Sequence, residues 1–300
     1  MVRAAASHSV SEGNRLVLID TGIGDKQDAR FFSHYYLHGD ASLTKSLQQL
    51  GVHPTDITDV FLTHLHFDHC GGAVRWNENK TAYELSFPNA RYWSNKQHWE
   101  WAVNPNEREK ASFLSENLMP IQESGQLCFI ETPKTSFASD CGLGFGVLFV
   151  NGHTEKQMIP HISYRGKTLV FMADLLPTAG HLPLPYIMGY DVRPLQTLEE
   201  KKRFLIRAAD ENFVFDEEFV NSNDKFVENI SEIFEYLKDI EPDCVLFNYE
   251  CCSAVGDQLS FPEKENTLKL IDIIMKRGSY FMFSDFSVKS LLVDWDENIF

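Results

Sequence analysis

The chain has 300 residues, 43% apolar and 23% charged, a globular balance with length for one large domain or two modest ones. A net charge of −16 excludes nucleic-acid binding through a broad basic surface, since a polyanion would meet repulsion. No apolar run approaches the roughly 20 residues needed to span a bilayer. Residues 1–13 lack an apolar core of signal-peptide length, so the expected location is the cytoplasm, with no membrane partner.

In chain order, the run Leu16-Val17-Leu18-Ile19 reads as a short buried strand ending in the turn Asp20-Thr21-Gly22. A polar loop with the aromatics Phe31, Phe32, Tyr35 and Tyr36 follows. Leu43, Leu47 and Leu50 share one face of a helix over 42–50, closed by Gly51. A buried strand over 59–63 delivers the chain into His64-Leu65-His66-Phe67-Asp68-His69. Further strands are expected at 91–94, 127–130, 146–150 and 213–215, and helices at 96–103, 109–117 and 198–212. Residues 161–164 and 168–172 flank Arg165-Gly166-Lys167 as a hairpin. Strands interleaved with helices make this an α/β chain.

Beyond residue 215 the character changes. Residues 210–265 carry 16 Asp/Glu against 3 Lys, and Phe226, Ile230, Ile233, Leu237 and Ile240 recur at helical spacing. A first domain over 1–215 and an acidic C-terminal α/β segment over 216–300 are therefore expected. The acidic balance reads as a solvated surface, and contact with a basic protein partner has no independent support. The cysteines (Cys70, Cys128, Cys141, Cys244, Cys251, Cys252) are scattered without C-x-x-C spacing and read as reduced thiols.

The chemistry concentrates in His64, His66, Asp68 and His69. Imidazole with carboxylate suits zinc and its first-row neighbours. Residues two apart at a strand end point the same way, so His64 and His66 can grip one ion, while Asp68 and His69 can face a second. Gly71-Gly72 then permits a tight turn. His153, after the apolar run 147–150, and Asp174, after 168–173, are ligand types at strand ends, where open α/β sheets place their sites. His38 and His181 read as rim histidines, His161 as structural, and His98, between Trp99 and Trp101, as a surface or packing residue.

Four segments, Leu18-Ile19-Asp20-Thr21-Gly22, Thr63-His64-Leu65-His66-Phe67-Asp68-His69, Gly152-His153-Thr154 and Ala173-Asp174, together resemble the metallo-β-lactamase fold hydrolases, in particular their lactonase-like branch. The resemblance runs from about residue 13 to 215. It implies an αββα sandwich with metals at one edge. His64, His66 and His153 would hold a first metal, Asp68 and His69 a second, with Asp174 bridging and Asp20 bonding the histidine loop in place. Two departures stand out. Few residues precede the Asp20 strand, so the first sheet is expected to lack edge strands and to expose backbone. The family's last metal-binding histidine is replaced by Asp216-Glu217-Glu218. Asp216 or Glu217 could substitute as an oxygen ligand; otherwise they are linker acids and the second site is weakened.

The function this implies is a hydrolase with one or two Zn2+ per chain, other first-row divalent metals being alternatives. A zinc-bound hydroxide would open a lactone or cleave a related ester or thioester of a small molecule. Asp68 would orient the water and pass its proton to the leaving group. No G-x-S-x-G suggests a serine nucleophile. The alternative is a catalytically weak or inactive metal-binding member serving as a binding or scaffold protein, with 216–300 as its interaction module.

Overall fold

The computed structural model describes residues 3–4, 15–35, 37, 42–164, 167–178, 181–210, 291–294 and 298–299. Strand β1 (Arg3–Ala4) pairs antiparallel with β2 (Arg15–Ile19), whose Leu16, Val17, Leu18 and Ile19 are all buried. Such a continuous apolar run belongs to a strand covered on both faces. A single turn, α1 (Ala29–Phe32), precedes α2 (Leu43–Gln49). Ser42 Oγ accepts the Lys45 N–H to start α2, and Gly51 at φ +71° closes it. Next come β3 (Asp59–Phe61), the short α3 (Phe67–Cys70), the hairpin of β4 (Val74–Trp76) and β5 (Tyr83–Leu85), and β6 (Arg91–Ser94). Helices α4 (Lys96–Val103) and α5 (Ser115–Glu123) lead to β7 (Leu127–Phe129). Strands β8 (Phe137–Ala138), β9 (Gly146–Val150), β10 (Gln157–Tyr164) and β11 (Lys167–Val170) precede α6 (Pro194–Asp210). Two short strands, β12 (Leu291–Asp294) and β13 (Asn298–Ile299), complete the described elements.

One sheet runs β13-β12-β2-β3-β6-β7, with β2, β3, β6 and β7 mutually parallel; the other is the antiparallel β11-β10-β9-β8. Alternation along the strands divides the apolar residues between two cores. Val17, Ile19 and Phe61 face the second sheet, meeting Val147, Phe149, Met158 and Phe171. Leu16, Leu18, Val60 and Tyr92 point the other way, onto Leu47 of α2, Trp99 of α4 and Ile121 of α5. On the outer face of the second sheet, His161 of β10 and Phe204 of α6 approach to 6.0 Å between ring centroids. The layers therefore run helix, sheet, sheet, helix, as the resemblance implied. Among the described residues no helix is long and apolar enough to cross a membrane.

Two expectations need correction. The edge of the first sheet is not open: Val17, Leu18 and Ile19 pair with Val293, Leu292 and Leu291 of β12, and Leu16 and Arg15 pair with β1. The backbone of β2 on this side is thus hydrogen-bonded. The helix expected at 109–117 lies instead at Ser115–Glu123, because the Glu109 carbonyl closes a tight turn by accepting from Ser112 and Phe113. Pro120 sits inside α5. The strand expected at 213–215 and the pattern at 226–283 lie outside the described residues.

Candidate metal centre

The His64–His69 turn is held by Asp20, the residue at the end of β2. Asp20 takes φ +56°, unusual for a non-glycine, which brings its carboxylate under the turn. Oδ1 accepts the Thr63 N–H at 2.7 Å, and Oδ2 accepts the Thr63 hydroxyl at 2.7 Å and lies 2.8 Å from His69 Nδ1. The backbone adds two further bonds, Thr21 N–H to the His69 carbonyl at 2.8 Å and Gly72 N–H to the Gly22 carbonyl at 2.9 Å. Glycine at 72 is required less for turning than for this approach, since a Cβ there would lie 2.2 Å from the Thr21 carbonyl oxygen.

His153 follows β9, and Asp174 follows β11 in a turn where Ala173 takes φ +42°. The fold brings both to the His64 turn. His153 Nε2 lies 3.1 Å from His66 Nδ1. Asp174 Oδ2 lies 3.3 Å from His153 Nε2 and 4.0 Å from His64 Nε2, while Oδ1 lies 3.2 Å from His69 Nε2. Two buried groups of three result, His64–His66–His153 and His64–His69–Asp174, each with one donor atom per residue and all within 4.8 Å of one another. Asp68 sits half-buried at the rim, its Oδ2 3.9 Å from His69 Nε2.

The remaining ring nitrogens are fixed from outside the cluster. His64 Nδ1 is 3.1 Å from Thr63 Oγ1, His153 Nδ1 is 3.0 Å from Asp191 Oδ1, and His69 Nδ1 faces Asp20. His66 is turned the opposite way, its Nε2 3.4 Å from Glu109 Oε1. Partners of this kind set which nitrogen keeps its proton and which presents a lone pair. The converging atoms are then Nε2 of His64, His69 and His153 and Nδ1 of His66. His64 Nε2 and His66 Nε2 are both buried and neither makes a hydrogen bond among the described residues, His66 Nε2 having the 3.4 Å ion-pair approach of Glu109 Oε1. Burial, aided by the neighbouring His69 and His66 rings, holds the His64 pKa well below 6.5, and burial lowers that of His66. Neutral imidazoles with a carboxylate between them, and the converging His64 Nε2 without a hydrogen bond, fit a divalent ion of the zinc type.

Burial raises the pKa of Asp20, with the His69 and Thr63 contacts working against it. At Glu109 burial also acts upward but is outweighed by His66, Thr154, Asn106 and Trp101, which hold the carboxyl at about 2. Phe31, Tyr35 and Phe67 form an aromatic cluster beside the turn, with centroid separations of 5.0 to 5.3 Å.

The sequence reading missed three residues here. Glu109 had been placed in a helix and Asp191 had drawn no notice. For His98, read as a surface or packing residue, burial upholds the packing alternative, and what the sequence did not show is that its ring accepts the Leu65 N–H at 2.8 Å. Nothing local marks their link to the centre, because His66 and Thr154 for Glu109, His153 for Asp191 and Leu65 and Glu155 for His98 are all distant in sequence. His181 bonds through Nδ1 to Thr178 Oγ1 at 2.7 Å, and neither it nor His161 joins the clusters. His38, Asp216, Glu217 and the cysteines from Cys244 onward lie outside the described residues, among which Cys70, Cys128 and Cys141 are free thiols.

Similarity to known proteins agrees with this architecture. One solved structure, a probable metal-dependent hydrolase from Staphylococcus aureus, superposes with a TM-score of 0.58 at 25% identity, covering 67% of this chain and 68% of that one. A second, AidC, described as a dizinc quorum-quenching lactonase, gives a TM-score of 0.52 at 27% identity, covering 68% of each chain. No curated protein matches. The family model for the metallo-beta-lactamase superfamily matches residues 6–212, more than half of the chain, and the protein belongs to that superfamily.

Proposed function

We propose that the protein is a metal-dependent hydrolase of small carbonyl compounds, lactones foremost, with related esters and thioesters as further substrates. The observation that carries this reading is the convergence of four imidazoles and Asp174, each ring fixed by a partner on its far side. Divalent ions bound there, zinc by the donor set, would supply a Lewis acid and a water acidified toward pH ~7.

The protein's own groups have distinct tasks. His64, His66 and His153 would hold one ion, and His69 a second together with Asp68, whose carboxylate lies 3.9 Å from it. Asp174 has one oxygen 3.3 Å from His153 Nε2 and the other 3.2 Å from His69 Nε2, and would serve both groups. Asp68, half-buried with its Oδ2 3.9 Å from His69 Nε2, would orient a water and carry its proton to the leaving oxygen. Phe31, Tyr35 and Phe67 offer an apolar wall for the non-reacting part of a substrate. The likeness to AidC, a lactonase by its description, favours lactones within this class. Asp216 or Glu217 would supply any oxygen ligand that replaces the family's last histidine.

The test is a panel of lactones, esters and thioesters assayed with wild type and with His64→Ala/His66→Ala. Hydrolysis that vanishes in the double variant is expected. Hydrolysis that persists unchanged would remove these residues from the reaction.

A further inference from the structure

We infer that Glu109 is a positioning residue of the metal centre, one carboxylate that holds the two histidine turns at a fixed separation and selects the nitrogen His66 presents. The inference rests on the metal-centre reading above.

Glu109 lies between α4 and α5, on neither segment that carries candidate ligands. Its Oε1 accepts the Thr154 hydroxyl at 2.6 Å and lies 3.4 Å from His66 Nε2. Thr154 directly follows His153, so one oxygen reaches both the His66 turn and the His153 turn. The converging nitrogens of those two rings are 3.1 Å apart. Oε2 is anchored separately, by Trp101 Nε1–H at 2.7 Å and Asn106 Nδ2–H at 2.5 Å. Thr154 is fully buried and Glu109 nearly so. In such surroundings a charge-assisted network is rigid, and its loss is not made good by water.

The geometry also explains why His66 differs from its neighbours. His64, His69 and His153 converge through Nε2, and His66 through Nδ1. An ionised carboxylate facing His66 Nε2 keeps the proton on that nitrogen and leaves the Nδ1 lone pair for an ion. Removing the charge would let the other tautomer compete, with a proton on the atom meant to bind.

The test compares zinc binding by wild type, Glu109→Gln and Thr154→Val, using a competing chromophoric chelator, beside the melting temperature of each metal-free protein. Glu109→Gln keeps the side chain's size and should weaken one ion about 10- to 100-fold, the usual scale for an outer carboxylate. Any other ion should bind as in wild type; the metal-free melting temperature should fall, because the new amide nitrogen meets donors at either position, and the affinity loss is read on protein that remains folded. Thr154→Val leaves Glu109 facing His66 and should cost about tenfold at the same ion; it decides the matter should Glu109→Gln fail to fold. Unchanged affinity in a folded Glu109→Gln, or in Thr154→Val where that variant decides, would overturn the inference alone. Wild type that takes up no zinc would instead overturn the metal-centre reading on which it depends.

Discussion

The His98 ring accepts the Leu65 main-chain N–H through Nε2 at 2.8 Å, and its Nδ1 bonds the Glu155 carbonyl. Leu65 lies between His64 and His66, and Glu155 two residues after His153, so one imidazole braces both histidine turns. The arrangement requires the neutral ring with its proton on Nδ1, and burial holds the His98 pKa at about 3.

This yields a pH prediction with a definite sign. The unfolded chain protonates His98 near pH 6.5, whereas the folded state resists protonation until about pH 3. Stability from this residue is therefore complete above pH 6.5 and is lost as pH falls toward 3, by at most about 1.4 kcal/mol per pH unit. Urea unfolding of metal-free protein should show a lower midpoint at pH 5 than at pH 7, and His98→Gln should flatten that difference. Equal slopes in wild type and variant would remove His98 from the account.

Gly152 packs against the first turn of α6, where an added Cβ would lie 2.3 Å from Thr197 N. Gly152→Ala must push α6 or the His153 turn aside and should destabilise the protein by about 2 kcal/mol or more. Gly189, with nothing near its Cβ position, supplies the contrast, and Gly189→Ala should fall within about 0.5 kcal/mol of wild type. Thermal melting of the two variants checks both statements.

Asp191 fixes His153 through Nδ1 at 3.0 Å. Asp191→Asn loses the charge that keeps the proton there, and zinc affinity should fall about 10- to 100-fold. Chelator competition measures it. Affinity equal to wild type would make Asp191 a packing residue.

Lys201 is a fully buried ammonium that donates to the carbonyls of His181 at 2.8 Å, Pro183 at 3.2 Å and Tyr186. Lys201→Met strands these acceptors, at about 1–3 kcal/mol for each one left dry. The variant should melt earlier and be cleaved faster within 181–186 under limited proteolysis. Cleavage at the wild-type rate would show that Lys201 does not hold this loop.

The parts of the site legible in the sequence were those written as local pattern. Three histidines and an aspartate in six positions behind a buried strand identify the histidine turn, and apolar runs before His153 and Asp174 identify theirs. Leu43, Leu47 and Gly51 likewise gave α2 its face and its end. Long-range pairing was not legible. The closing of the β2 edge by Leu291, Leu292 and Val293 joins residues more than 270 positions apart, and no spacing rule reaches across that distance. The roles of Glu109, Asp191 and His98 arise from tertiary hydrogen bonds, and His98 in particular carries helical-surface neighbours in sequence while facing inward in space. Glu109 misled for a related reason: its carbonyl closes a turn and its carboxylate is drawn into the centre, so the residue does not continue a helix.

The most direct test of the central claim, that this buried histidine cluster is a metal centre, is elemental mass spectrometry of purified protein supplied with zinc, wild type beside His64→Ala/His66→Ala. The account predicts one or two zinc-type ions per wild-type chain and loss of at least one in the variant. A wild-type chain without bound metal, or a variant that retains all of it, would contradict the account.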